Sequence, residues 1–262
     1  MSAAATALVT GASTDTGYHI ARRFCAHGHP VILVGAIEGE LDWIAAELLL
    51  HGADVRVLTC DVESGFGPQQ VFDELAEDGV CIDIIANNSG LARGADCTEL
   101  PIERHLAALR VDGEVARGVT AMLSPGMIER GRGQIVNLLS ATRYVSTALR
   151  SACAASNALM LSWSDALAAQ LADSPVNVTA FVPRISTSRA LAKDATPYDI
   201  ARAAYYERAT PERCIVIGTD PETPLPLPAP VFEFSARDPY NALNGRRGAR
   251  PSGHASSSGM AR

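Results

Sequence analysis

Ala5-Thr6-Ala7-Leu8-Val9-Thr10-Gly11-Ala12-Ser13-Thr14-Asp15-Thr16-Gly17 opens the chain with a short apolar run that passes straight into a glycine turn. No basic residue precedes the run and it is short, so a first strand is expected here and not a signal peptide. Beyond it, Gly17–Gly28 carries apolar residues at helical spacing.

The same alternation continues outward. Ala5–Thr10, Val31–Gly35, Val55–Thr59, Ile82–Ala86, Gln134–Leu139, Val176–Val182 and Cys214–Ile217 each predict a buried strand. Between them, Gly17–Gly28, Glu40–His51, Pro68–Asp78, Leu100–Arg130, Ala148–Leu171 and Pro197–Ala209 predict helices. Pro68 falls in a first helical turn, where its missing N–H costs nothing. Strand–helix alternation of this kind needs right-handed crossovers and gives a parallel sheet covered on both faces. The expectation is one α/β domain over residues 1–220, a doubly wound parallel sheet of about seven strands with six main helices. After it, Pro221–Pro230 is a proline run that favours extended chain, and Gly245–Arg262 is rich in Gly, Ser and Arg. Residues 221–262 are expected to be a Pro-rich segment and a disordered tail.

Composition narrows the function classes. The chain has 262 residues, 47% of them apolar and 19% charged, enough to bury a large core without disulfides. A net charge of −7 argues against nucleic acid, which calls for a clustered basic face. The six cysteines (25, 60, 81, 97, 153 and 214) include no C-x-x-C pair, which suits reduced thiols. His27-Gly28-His29 has no further ligands nearby in sequence, so it is expected to be a polar helix-to-strand connection and not a metal site. No apolar run approaches the ~20 residues of a membrane span. The expected setting is cytoplasmic, without membrane contact.

Four signatures then come into register. The first strand ends in Thr10-Gly11-Ala12-Ser13-Thr14-Asp15-Thr16-Gly17, and the third in Cys60-Asp61-Val62. The fourth ends in Asn87-Asn88-Ser89-Gly90, and the fifth reads Ile135-Val136-Asn137-Leu138-Leu139-Ser140. In this order the chain resembles the short-chain dehydrogenase/reductase (SDR) superfamily over roughly residues 5–217. The resemblance implies a Rossmann-type fold with a dinucleotide at Gly11, Ser13, Gly17, Asp61, Asn88 and Gly90. It also implies a catalytic serine at Ser140. Gly11 and Gly17 permit a tight turn and close helix packing, so that N–H groups at the helix start face a pyrophosphate.

Five positions depart from the family pattern. Asp15 stands in place of the turn's middle glycine, where a carboxylate beside a diphosphate costs Coulomb energy. Asp112 stands where the family has a relay asparagine. Cys153, thirteen residues after Ser140, stands where the family has the proton-donating tyrosine, and Asn157 where it has the lysine that binds the ribose. The thiol's reference pKa, near ~8.5, does not exclude it, but its short reach does. Arg184 follows Pro183 where the family places a glycine against the nicotinamide. Tyr144 lies on a loop and lacks the fixed helical position of a proton donor. Cys153 as a nucleophile has no adjacent cation or base to form a thiolate. Past the second strand, Gly35-Ala36-Ile37-Glu38 offers only Glu38 to a ribose, which favours NAD over NADP if either binds. The segment Arg184–Thr196 is short for a substrate loop.

These departures predict a member with a disabled site that binds no dinucleotide, or binds NAD(P) weakly. Its expected role is a non-catalytic subunit supporting an active SDR enzyme, in a homo- or hetero-oligomer through helices 100–130 and 148–171. Two alternatives stay open: non-redox chemistry such as isomerase, lyase or cyclase in the same cleft, and residual NAD(P)-dependent oxidoreduction.

Overall fold

The structure is a computed structural model that describes residues 4–60, 66–88, 102–139, 147–183, 196–209 and 213–217, with 102–112, 147–155, 183 and 216–217 as backbone only. The strands are β1 (Ala7–Thr10), β2 (Val31–Gly35), β3 (Val55–Thr59), β4 (Ile84–Asn88), β5 (Gly133–Leu138), β6 (Val176–Pro183) and β7 (Cys214–Ile217). They are joined by α1 (Asp15–Ala26), α2 (Glu38–Leu50), α3 (Gly67–Glu77), α4 (Ile102–Glu129), α5 (Thr147–Gln170) and α6 (Pro197–Glu207). Every expected strand and helix is present, most with ends moved by a residue or two. The sheet is parallel throughout, in the order β3-β2-β1-β4-β5-β6-β7.

Neighbouring residues of one strand point to opposite faces, and each central strand here feeds two cores. Val9, Leu33, Ile84 and Val136 meet Ile20 and Phe24 of α1, Leu41 and Leu48 of α2, and Tyr205 of α6. Their neighbours Leu8, Ile32, Ile85 and Ile135 meet Val71 and Leu75 of α3, Val119 and Met127 of α4, and Ala168 of α5. Double coverage is why these strands read as unbroken apolar runs instead of alternating ones. Burying each large side chain contributes about 1.5–3 kcal/mol.

The strand order reverses between β1 and β4, the two strands that leave the centre of the sheet in opposite directions. A crevice outside the carboxyl ends of the strands is expected at that switch point. The residues that define it are the end of β1, the start of α1 and the end of β4. Pro125 lies inside α4, near its end, and the helix continues past it to Glu129. The proline run and the tail, residues 221–262, lie outside the described residues.

Candidate functional site

Thr10 closes β1 and Gly11 turns the chain with φ +57°. A Cβ at Gly11 would lie 2.6 Å from the Asn88 carbonyl oxygen, so the ends of β1 and β4 approach through the space a side chain would fill. Gly17 is tighter still, since a Cβ there would lie 2.2 Å from the Gly11 carbonyl oxygen. Both positions need glycine for room, and Gly11 also for its left-handed backbone.

A compact set of hydrogen bonds holds the turn. The Asn88 side-chain amide donates to the Gly11 carbonyl at 3.0 Å and to Thr14 Oγ1 at 2.8 Å. Thr14 Oγ1 donates to the Gly11 carbonyl at 2.9 Å and accepts from Gly17 N at 3.1 Å, capping α1. The Asn88 backbone N–H donates to Thr10 Oγ1 at 3.0 Å. Gly17 N and Thr14 N are thus committed inside the turn. The N–H groups of Asp15 and Thr16, the first two residues of α1, have no intrahelical acceptor and lie at the positive end of the helix. Ser13 is half-buried beside them.

Asp15 is exposed at the first position of α1. Its carboxylate favours the free helix by about 0.3–1 kcal/mol through the dipole and opposes a second anion there. His19, one turn further, has its pKa lowered by partial burial and then by Arg22, with Asp15 pulling the other way.

Behind the turn, a buried polar chain crosses from β4 through β5 to α5. The Asn87 amide donates to Asn137 Oδ1 at 2.8 Å and to Thr120 Oγ1 at 3.0 Å. Asn137 donates onward to Ser164 Oγ at 2.8 Å, and Ser164 to the Met160 carbonyl at 2.6 Å. All four side chains are buried, Asn137 completely. They fix α5, the helix of Cys153 and Asn157, against the sheet. Sequence inspection passes over Asn137, Thr120 and Ser164; their one signal is a polar residue inside an otherwise apolar strand or helix face.

Of the sequence-derived site residues, the structure brings together Gly11, Ser13, Asp15, Gly17 and Asn88. Asn157 lies half-buried on α5. Cys153 and Asp112 lie on the backbones of α5 and α4, and their side chains are outside the described residues. Asp61, Gly90, Ser140, Tyr144 and Arg184 also lie outside the described residues. His27 and His29 serve as packing groups. His27 stacks on Tyr205 at 4.3 Å between ring centres, and His29 Nε2 meets the Tyr205 hydroxyl at 3.3 Å. No group of three or more potential metal ligands occurs among the described residues. No helix among them is long and apolar enough to cross a membrane.

A seven-stranded doubly wound parallel sheet with a glycine turn at its switch point defines an α/β protein of Rossmann type. The chain belongs to the short chain dehydrogenase family, whose model matches residues 5–198. It is 31% identical over 198 residues to oxidoreductase UcpA of Salmonella typhimurium, covering 74% of this chain and 75% of that one. It is 29% identical over 177 residues to the very-long-chain 3-oxoacyl-CoA reductase of Phaeosphaeria nodorum, covering 66% of this chain. The match spans about half of that reductase, 52% of its length. Among solved structures it resembles serine dehydrogenase from Escherichia coli, at TM-score 0.68 and 26% identity over 82% of this chain and 97% of that one. A metagenomic short-chain oxidoreductase solved with NADP has the same fold, at TM-score 0.68 and 23% identity over 82% and 98% of the two chains.

Proposed function

We propose that this chain is a non-catalytic member of its family that supports an active dehydrogenase or reductase subunit. The observation that carries the proposal is the pair Cys153 and Asn157 on α5. A phenol there protonates a carbonyl oxygen as hydride arrives, and a lysine lowers its pKa and anchors the ribose; a short thiol and a neutral amide do neither. Asp112 and Arg184 remove a relay amide and a small nicotinamide wall in the same way.

The seat for a dinucleotide is a separate matter, and the turn fits one. Gly11 and Gly17 let the turn close on itself and on the end of β4, Asn88 and Thr14 hold it in place, and the N–H groups of Asp15 and Thr16, which lack intrahelical acceptors, would meet a diphosphate. Ser13 would hold the diphosphate alongside them, with Asp61 and Gly90 at the adenine and the adjacent strand end. A bound dinucleotide would supply hydride exchange at its nicotinamide. Asp15 weakens the seat through charge, while Glu38 and Glu40 in the first turn of α2 disfavour a 2′-phosphate. We therefore assign weak binding, with NAD over NADP. That intact turn also supports a second reading, a residual NAD(P)-dependent oxidoreductase, in keeping with the names of the relatives.

The subunit contact is assigned to the outer faces of α4 and α5, where Ile128 and Leu159 are exposed at 40% and 47%. Exposed apolar residues on two adjacent long helices suit a helix-on-helix interface. The test has two parts: fluorescence titration of the purified chain with NADH and NADPH, and native mass measurement after co-expression with a family member that retains the tyrosine and lysine. No carbonyl reduction by the chain alone, together with a mixed oligomer, is the expected result. Turnover by the isolated chain would overturn the subunit assignment. Cys153→Tyr with Asn157→Lys should not restore reductase activity if Asp15 and Arg184 also hinder the cofactor.

A further inference from the structure

Helix α2 is apolar on two opposite faces, and the described residues cover one of them. Leu41, Ile44, Ala45 and Leu48 are buried against the sheet. At 3.6 residues per turn, the opposite face is Gly39, Trp43, Ala46 and Leu50, spaced by four, three and four residues. Trp43 is 69% exposed, and Leu50, at 85%, is the most exposed large apolar side chain among the described residues. A Cβ on Gly39 would meet nothing within 4 Å. A helix that is apolar all round is normally buried all round, and a continuous exposed apolar stripe marks a contact surface. α4 and α5 pack on the other face of the sheet, so this stripe is separate from the subunit contact assigned to them.

The charge around the stripe selects what covers it. Glu38 and Asp42 run along one side, Glu40 and Glu47 along the other, and Glu38–Leu50 contains no lysine or arginine. The Tyr18 hydroxyl donates to Glu47 Oε1 at 2.7 Å and fixes that side against α1. Two copies of α2 face to face would set carboxylate against carboxylate on both sides, whichever way they ran, and such like-charge contacts suppress pairing. Nucleic acid and acidic lipid are repelled by the same sign. The four-three-four spacing is that of a helix–helix seam, in which side chains of one helix enter the gaps of the other and the flanking charges set partner choice.

We propose that the outer face of α2 docks an amphipathic helix of a different protein, one whose apolar stripe is flanked by lysine or arginine. Trp43 and Leu50 pack on the partner's stripe, its large side chains fill the spaces over Gly39 and Ala46, and its cations face the carboxylates on both sides. This contact is independent of the glycine turn and of the reading of Cys153 and Asn157.

Fluorescence anisotropy of the full chain with a fluorescein-labelled peptide tests this. The peptide is a helix of about 21 residues with leucines at three-four spacing and lysines flanking them. One control peptide carries glutamate for lysine, and a second keeps the composition but scatters the leucines around the helix. The lysine peptide should bind with a Kd at or below about 50 μM, and both controls at least about tenfold more weakly. Trp43→Ala with Leu50→Ala leaves every carboxylate in place and should weaken the lysine peptide by about tenfold or more. Asp42→Lys leaves the stripe in place and should weaken it severalfold. All three side chains are exposed, so circular dichroism should match wild type, and either variant decides the matter should the other misfold. No binding at about 1 mM, equal binding of the scattered peptide, or an affinity that these variants leave unchanged overturns the proposal. A wild-type dimer in sedimentation equilibrium that the Trp43 and Leu50 pair dissociates would make a second copy the occupant and overturn it as well.

Discussion

Asn137→Ala is the sharpest probe of how the sheet holds α5. Asn137 is fully buried and bridges two elements, accepting from Asn87 and donating to Ser164, each at 2.8 Å. Truncation removes both bonds. Asn87 keeps Thr120, and Ser164 keeps the Met160 carbonyl, so neither neighbour is stranded outright. Two lost bonds at about 1 kcal/mol each, plus a small cavity, put the loss at about 2–4 kcal/mol. For a domain of this size that is a fall in Tm of roughly 5–15 °C. Ser164→Ala removes one of the same bonds and should cost about 1–2 kcal/mol. The double variant loses the shared bond once, so it should be more stable than the sum of the singles by about 1 kcal/mol. Urea denaturation followed by far-ultraviolet circular dichroism gives all three values. Strict additivity, or a loss under about 0.5 kcal/mol for Asn137→Ala, would refute the bridge.

Gly17→Ala should destabilise the chain by more than about 1 kcal/mol in a thermal melt, because its Cβ would collide with the Gly11 carbonyl oxygen, which cannot yield without opening the turn. Thr196→Ala removes the reciprocal cap of α6, in which Asp199 N donates to Thr196 Oγ1 at 3.2 Å and Thr196 N to Asp199 Oδ2 at 3.0 Å, and should cost about 1 kcal/mol by urea titration. The Thr196 side-chain hydrogen bond, then its backbone one, holds the Asp199 carboxyl below its usual range. Its stabilisation is therefore complete above the ordinary carboxylate pKa and is lost as pH falls through the depressed one. The stability gap between wild type and Asp199→Asn should close in strongly acid solution and stay constant from pH 5 to 7. Burial pushes the Cys25 thiol up to about 11, whereas Cys81 is exposed, so iodoacetamide at pH 8 should label Cys81 well before Cys25, as peptide mass mapping would read.

The architecture was legible because each strand is a separate apolar run and each helix keeps its spacing. The ends were less so. Asn87 and Asn88 look like turn residues, yet β4 extends through both, because they pair with Asn137 and Leu138 of β5. The glycine turn was legible by type and position, since bare backbone is what its close approaches demand. The polar bridge through Asn137 was not, because a lone asparagine in a strand says nothing about a serine 27 residues away. Tyr205 carries the same lesson. It sits between His27 and the Arg208 guanidinium, and its link to His29 joins residues 176 apart, so only the folded sheet makes the pair visible.

The bonds that finish the glycine turn have a consequence for how the chain acquires its shape. Asn88 reaches Thr14 across 74 residues and Thr10 across 78, and β2 and β3 lie between them in sequence. Pairing of β1 with β2 and winding of α1 are comparatively local and come early, whereas closing so long a loop is entropically slow. The carboxyl edge of the sheet therefore takes its final form only when β4 inserts beside β1. The contact order of the turn thus makes its completion, and with it the final shape of the carboxyl edge, a late product of folding.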